Sequence, residues 1–360
     1  MEDKIDSLFD LVEKEIEKDS KAKLFGASDI RMLSHVPHGI PSHQPSLDLC
    51  IGKDGIPIGR VIEFYGKPRC GKSTAALHII SEFQKKGGVA LFIDTEQTYD
   101  PDRAIECGVK VDKTLRIVSA ESVEAVFRTI EAFLLGLSKL KFERDAIIIV
   151  DSITGVDCEF NLAREFGETV RLGEEARTIR LGMKRIVPLL AKMKASLIFV
   201  NHAISTMNPY GKQSQAAGGY AIKFFASLRI EFKHLGEIKD KEAELRLGQR
   251  IQVEVEKLKG GPLTRTKYES KLLNDIGFDV VDQLLDASVE IGIIKRKGNI
   301  KYCLMDLNTN EELESFSRAD WPGWVKSKGG FEEIYKWWMK NAIALNIISP
   351  WGESRYEVKE

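Results

Sequence analysis

Three observations predict an α/β fold built around a mainly parallel sheet. From about Leu47 to Leu273, short apolar runs alternate with helical patterns, the rhythm of strand-crossover-strand units. The run Ala146 to Val150 is apolar at every position, which suits a central strand buried on both faces. Gly66 to Ser73, GKPRCGKS, lies between the apolar run Val61 to Tyr65 and a helical pattern, where a phosphate-binding loop turns a strand into a helix.

Taken in order, the chain opens with Ile5, Leu8, Phe9, Val12 and Ile16 at helical spacing. That is one amphipathic helix in residues 1–33, with too little apolar surface to stand alone, so it needs a partner surface. Residues 34–46, with their prolines and histidines, read as a linker. His35, His38 and His43 fall in HVPHGIPSH, where the prolines and glycine give a loop rather than a helical metal pair.

The core, 47–273, should hold strands at Val61 to Tyr65, Val89 to Asp94, Leu115 to Val118, Ala146 to Asp151, Leu197 to Asn201, Leu228 to Phe232, Ile251 to Leu258 and Lys267 to Leu272. Charges at alternate positions in the last few of these suit an antiparallel edge. Residues 274–360 read as a small C-terminal α/β domain: a helix at Val280 to Ile291, a basic turn at Lys295 to Asn299 and a strand at Ile300 to Leu304. All five tryptophans lie there, Trp321, Trp324, Trp337, Trp338 and Trp351, and core packing is the expected use of such large rings.

Composition bounds the function. With 360 residues and 43% hydrophobic content, the chain can bury a full core. Lys and Arg number 53 against 54 Asp and Glu, so any nucleic-acid site must be local. No apolar stretch of about 18 residues occurs and MEDKIDSLFD is too charged for a signal peptide, which predicts a cytoplasmic protein. Five scattered cysteines without a CxxC pair fit reduced thiols.

The phosphate loop carries the chemistry. Gly66, Lys67, Arg69, Cys70 and Gly71 would cradle the phosphates of a nucleoside triphosphate with backbone N–H groups, with Pro68, which has none, shaping the loop between them, ahead of the helix N-terminus and Thr74. Lys72 would reach the β- and γ-phosphates and Ser73 would hold Mg²⁺. Cys70 at a helix start is either an acidic thiol or a small packed side chain, and packing is the expectation. Asp151 ends an apolar strand and becomes the second magnesium-site element. Glu96, in FIDTE after another strand, is a candidate for orienting or deprotonating the attacking water, with a helix-start or surface carboxylate as the alternative. Asn201-His202 closes a third strand, where a polar pair can sense the γ-phosphate or serve structure alone.

The runs SLDLCIGKDGIPIGRVIEFYGKPRCGKSTAALHII, FIDTEQTYDP, AIIIVDS, IFVNH and AAGGYAIKFFASLRI resemble, in order and approximate spacing, those of the bacterial RecA recombinase family. The resemblance covers about Leu47 to Val281. It implies a RecA-like ATPase core in which Lys72 and Ser73 serve the phosphates, Glu96 is the catalytic carboxylate, Asp151 serves Mg²⁺ and Asp100 lies against the adenine. It also implies two loops that hold single-stranded DNA, about Asp157 to Gly173 and Ala203 to Gly219. Arg177, Met183 and Lys184 fall at DNA-contact positions, with Tyr210, Gly218 and Gly219 in the second loop; Tyr210 either stacks on bases or pins its loop.

Three departures stand out. His202 replaces the family's glutamine, as in phage-type members. Arg103 takes the place of the adenine-stacking tyrosine. Lys257 and Lys259, in EKLKGGP, correspond to lysines that reach across a subunit interface, with one residue fewer before the proline.

The expected function is a DNA-dependent ATPase, using ATP and Mg²⁺, that forms a helical homo-oligomeric filament on single-stranded DNA and exchanges strands with homologous duplex DNA. A single-strand-binding protein or loading mediator is a further possible partner. The alternatives are a hexameric helicase-type motor and an accessory protein that binds ATP and DNA for another recombinase.

Overall fold

The computed structural model describes residues 36–164, 173–205, 214–216, 220–240, 245–261 and 265–352. The chain divides into Met1–Pro37 and His38–Glu360, and the second unit is described below. The amphipathic helix expected around Ile5 to Ile16 lies outside the described residues.

Strands run in the order β1 (Gly39–Ile40), β2 (Ile56–Pro57), β3 (Val61–Gly66), β4 (Val89–Asp94), β5 (Leu115–Ser119), β6 (Ala146–Asp151), β7 (Ala195–Ser205) and β8 (Ser214–Ala216). They continue as β9 (Leu228–Lys239), β10 (Arg246–Leu258), β11 (Lys267–Leu273), β12 (Gly277–Phe278), β13 (Ile294–Lys297), β14 (Lys301–Met305) and β15 (Glu312–Ser317). The helices are α1 (Pro45–Ile51), α2 (Lys72–Lys85), α3 (Pro101–Glu106), α4 (Val123–Lys139), α5 (Glu159–Leu162) and α6 (Glu174–Lys192). After them come α7 (Tyr220–Phe225), α8 (Val280–Glu290), α9 (Trp321–Ser327) and α10 (Phe331–Ala344).

The main sheet has the order β12-β11-β10-β9-β3-β7-β6-β4-β5, with β8 beside β7. Pairs from β9 to β5 are parallel, whereas β9, β10, β11 and β12 pair antiparallel. The fold is therefore α/β with a mixed, mainly parallel sheet and an antiparallel edge. β6 is buried at every position, as a strand covered by helices on both faces must be.

The covering helices carry apolar stripes at helical spacing. α4 starts at Ser122, whose hydroxyl accepts from the Ala125 N–H at 3.0 Å, and buries Val123, Val126, Phe127, Ile130, Leu134 and Leu137. α6 buries Ile179, Met183, Ile186 and Leu190. Each such side chain removed from water contributes roughly 1.5–3 kcal/mol, so these stripes lock both helices onto the sheet. Met183 is thus a core residue, fully buried, and the expectation that it touches DNA is corrected: its position in the 179–183–186–190 stripe turns it inward.

Residues 38–45, expected as a connecting stretch, are held by contacts. β1 pairs antiparallel with β2. The Ser42 N–H donates to Asp48 at 3.1 Å, and the Tyr335 hydroxyl donates to the same carboxylate. Burial pushes the Asp48 carboxyl up to about 7 against those hydrogen bonds. His43, Glu82 and Glu332 bring ligand atoms within 4.8 Å of one another, but the Lys85 ammonium donates to both carboxylates. That cluster already holds the Lys85 ammonium as its cation.

A second apolar cluster joins Leu49 of α1 to α8, α9 and α10 through Leu284, Leu285, Trp321, Val325, Tyr335 and Trp338. Trp321 and Trp338 are buried, and Trp321 Nε1 donates to the Val281 carbonyl at 2.7 Å. Trp351 instead donates to the Gly55 carbonyl at 2.9 Å, packing beside the segment that enters β3. The basic stretch expected as a turn is mostly strand: Ile294 to Lys297 pair with Leu304 to Lys301. Among the described residues no helix is long and apolar enough to cross a membrane.

Candidate active site and nucleic-acid face

Sheet register assembles the site. Gly66 at the end of β3 pairs with His202 in β7, and Asp151 at the end of β6 pairs with Asp94 at the end of β4. Three strand ends thus meet at the carboxyl edge of the parallel sheet, where open α/β folds gather ligands.

The phosphate loop leaves β3 and enters α2 at Gly71. Gly71 has φ 84°, and a Cβ there would stand 2.9 Å from both Leu272 and Phe278 side-chain atoms. Only glycine fits that left-handed, crowded position. Lys72 is 5% exposed, and its ammonium donates to the carbonyls of Gly66 at 3.1 Å and Lys67 at 2.9 Å. Burial lowers the Lys72 pKa, while Cys70, Asp151 and Glu96 oppose that shift. Cys70 is buried, and burial pushes its thiol up despite the nearby lysine. The thiol is a packed side chain, not an activated one.

Burial raises the Asp151 carboxyl and the Glu96 and Asp94 charges add to that rise, while the Ser73 hydroxyl beside it and the Lys72 charge oppose it. A hydroxyl and a carboxylate side by side in an excess of negative charge are the hard oxygen donors that Mg²⁺ takes. The residues fit the ion.

Glu96 sits on a braced turn. Its N–H donates to Asp94 Oδ1 at 3.2 Å and the Tyr99 N–H to Asp94 Oδ2 at 2.9 Å, while Thr95 Oγ1 donates to the Ser152 carbonyl at 2.6 Å. Ser152 Oγ donates to Glu96 Oε1 at 2.6 Å, and His202 Nε2 lies 2.9 Å from the same oxygen. Burial raises the Glu96 pKa, but the Ser152 and His202 hydrogen bonds and the charges of His202 and Lys72 outweigh it, holding the carboxyl below the usual range. Glu96 is therefore an oriented, ionised carboxylate beside Lys72, Asp151 and His202. Gly155 makes room for it: a Cβ at 155 would lie 3.0 Å from Glu96 Cγ.

Asp100 caps α3, accepting from the Asp102 and Arg103 N–H groups at 2.9 and 3.2 Å. The Arg103 guanidinium donates to Glu106 at 2.8 Å and to the Asn274 carbonyl at 3.0 Å. It ties α3 to the loop before β12 through N–H groups at its edge, which those partners take up.

Lys257 and Lys259 do not join this group. Lys257 pairs with Arg229 near the start of β9, and that part of β9 runs beside the start of β3, since Leu228 pairs with Ile62. The lysines therefore stand at the sheet end opposite the phosphate loop. Lys257 Nζ donates to the carbonyls of Lys223 at 2.6 Å and Phe224 at 3.2 Å, and Lys259 Nζ to Phe224 at 3.3 Å. Burial, with Lys259 and Arg229 nearby, lowers the Lys257 pKa to about 8.

On α6, Arg177, Arg180 and Lys184 are exposed along one side, opposite the buried stripe. Tyr210, Gly218 and Gly219 lie outside the described residues. Sequence reading missed Ser152, although it follows Asp151 directly, and Gln249, whose side-chain amide donates to the Arg69 carbonyl and steadies the phosphate loop. A hydroxyl beside a strand-end aspartate was the available signal for the first; nothing local marks the second.

Fold and site together define a phosphate-loop ATPase with a RecA-type sheet. The family model for the RecA N-terminal domain matches residues 3–276. The curated protein RecA of Oleidesulfovibrio alaskensis is 34% identical over 76% of this chain and 77% of its own. That of Chlorobium limicola is 31% identical over 81% and 79%, and that of Chlorobaculum tepidum 33% over 77% and 77%. The chain belongs to the RecA family, the ATP-dependent recombinases of DNA repair. Members are DNA-dependent ATPases that use ATP and Mg²⁺ and form filaments on DNA.

Proposed function

We propose that this chain polymerises on single-stranded DNA with ATP held between subunits, hydrolyses that ATP, and pairs the bound strand with a homologous duplex. The carrying observation is the divided site: Lys72, Ser73, Asp151, Glu96 and His202 converge at one end of the sheet, while Lys257 and Lys259 stand at the other. Cations so placed serve a neighbour's phosphates, not their own. Lys72 and the loop N–H groups bind the triphosphate; Ser73 and Asp151 would hold Mg²⁺, which supplies charge neutralisation on the phosphate oxygens. Glu96 accepts a proton from, or aligns, the attacking water, and His202 reports γ-phosphate contact through the carboxylate it touches. Arg103 takes the adenine side together with Asp100, and the 1–33 segment would dock on an adjacent core.

The test is strand exchange between a single strand and a homologous duplex with ATP and Mg²⁺. Homology-dependent product is expected; hydrolysis without exchange would favour a ring motor, and neither activity an accessory protein.

Two further outcomes are expected. Lys257 alone loses its proton from about pH 8, below the ordinary lysine value of 10.5, whereas a neighbour's phosphates favour its ammonium. Assembly then takes up a proton, so ATP-dependent filament formation, followed by light scattering, weakens as pH rises from about 8 toward 10.5. Lys257→Arg flattens that dependence; an unchanged profile places Lys257 off the interface. Lys184→Ala lowers the slope of log affinity for single strands against log salt by roughly 0.7, one phosphate contact. An unaltered slope makes Lys184 a solvated side chain only.

A further inference from the structure

Beneath the active site a row of polar side chains crosses the central strands. Asn201 in β7, Glu63 in β3 and Arg229 in β9 are 0%, 1% and 3% exposed, unusual burial for such groups. Asn201 Nδ2 donates to Glu63 Oε1 at 2.9 Å, and Arg229 Nε donates to Glu63 Oε2. Arg229 donates onward to Glu256, which also accepts from the Tyr65 hydroxyl at 3.0 Å. Glu256 sits where the β9–β10 register shifts, immediately before Lys257. Breaking one partner out of such a buried set strands a charge, so its members move together.

The upper end of the row meets Thr154. A carboxylate only accepts, so Asn201 must turn its amide nitrogen to Glu63 and its oxygen the other way, and Asn201 Oδ1 lies 3.4 Å from Thr154 Oγ1. Thr154 Oγ1 is also 3.4 Å from Ser152 Oγ. Ser152 has spent its single hydrogen on Glu96, so a bond between the two hydroxyls must be donated by Thr154. Threonine has one hydroxyl hydrogen and two acceptors waiting for it. Both contacts are long for O–H···O bonds; a small shift that tightens one releases the other.

We propose that Thr154 is a positioning residue for Glu96, joining the Ser152–Glu96 pair to the buried Asn201–Glu63–Arg229–Glu256 row that ends beside Lys257. Turned to Ser152, the Thr154 hydroxyl strengthens the hold of Ser152 on Glu96; turned to Asn201, it lets that hold slacken. A displacement of Lys257 by a neighbour's nucleotide passes through Glu256 and Arg229 to the carboxylate of the same subunit. The two-position hydroxyl is the element that both ends bias. This rests on the reading of Glu96 as the water-aligning carboxylate and of Lys257 as a cross-subunit contact.

The experiment is a double-mutant cycle in the full chain on single-stranded DNA, measuring kcat and KM for ATP in Thr154→Val, Glu256→Gln and the pair, with Thr154→Ser and Glu96→Gln alongside. Thr154→Val should lower kcat about fivefold, one ordinary hydrogen bond, with KM unchanged, and Thr154→Ser should restore it. Glu256→Gln should shift kcat in the parent but not on the Thr154→Val background. Unchanged kcat in Thr154→Val, or two effects that simply multiply, overturns the proposal. Should Thr154→Val fail to fold, Glu256→Gln decides, since unchanged kcat there breaks the row at its far end. Normal turnover by Glu96→Gln would sink the reading of Glu96 and the proposal with it, whereas slow turnover beside an unaffected Thr154→Val sinks the proposal alone.

Discussion

Lys72→Ala reduces ATP hydrolysis to background and removes ATP-dependent DNA binding. The Lys72 ammonium is buried within the loop and rests on the Gly66 and Lys67 carbonyls, a position from which a change of side-chain torsions carries it to phosphate oxygens. Burial disfavours its charge, so it gains more from an anionic ligand than an exposed lysine would. Losing such a charged contact costs roughly 2.7–4 kcal/mol in the transition state, on the order of a hundred- to a thousandfold in rate. Phosphate release and filter binding of labelled single-stranded DNA with and without ATP read the two losses separately. Retained ATP-dependent DNA binding would move the triphosphate away from this loop.

Glu96→Gln binds ATP and DNA but turns over slowly, by roughly 10²–10⁴-fold if the carboxylate acts as a general base. Glutamine keeps the shape and can still accept from Ser152, so the brace survives while the basic oxygen is lost. The wild-type carboxyl lies below the usual glutamate range, so activity should hold into mildly acid conditions and fall only as Glu96 protonates. Filaments of the variant should outlive those of the parent after ATP is withdrawn. A variant with normal kcat would leave Glu96 as a brace for the turn and nothing more.

Much of this was legible in the chain because strands that end at one sheet edge leave their marks in sequence. β3, apart from Glu63, and β4 and β6 are apolar runs that stop at Gly66, Asp94 and Asp151, and parallel pairing brings such endings together. Polar extensions were not legible: β9 runs on to Lys239 and β10 begins at Arg246, beyond the apolar stretches, because an antiparallel ribbon can face water. Met183 shows the opposite failing. Its companions at −4, +3 and +7, Ile179, Ile186 and Leu190, were a plain inward signal, and the resemblance overrode it. The row from Thr154 to Glu256 could not be read, because its bonds join residues from different strands and depend on register alone.

The separation of Lys257 and Lys259 from the phosphate loop has a geometric consequence. In the filament proposed above these unlike surfaces meet head to tail, a contact that stays open-ended unless the row closes into a ring. A row of such subunits has a direction. One terminus shows a triphosphate pocket lacking its second set of cations, and the other shows cations with no phosphates to meet. Addition and loss at the two termini are then different reactions, and the growing row inherits a leading end and a trailing end from the placement of two lysines.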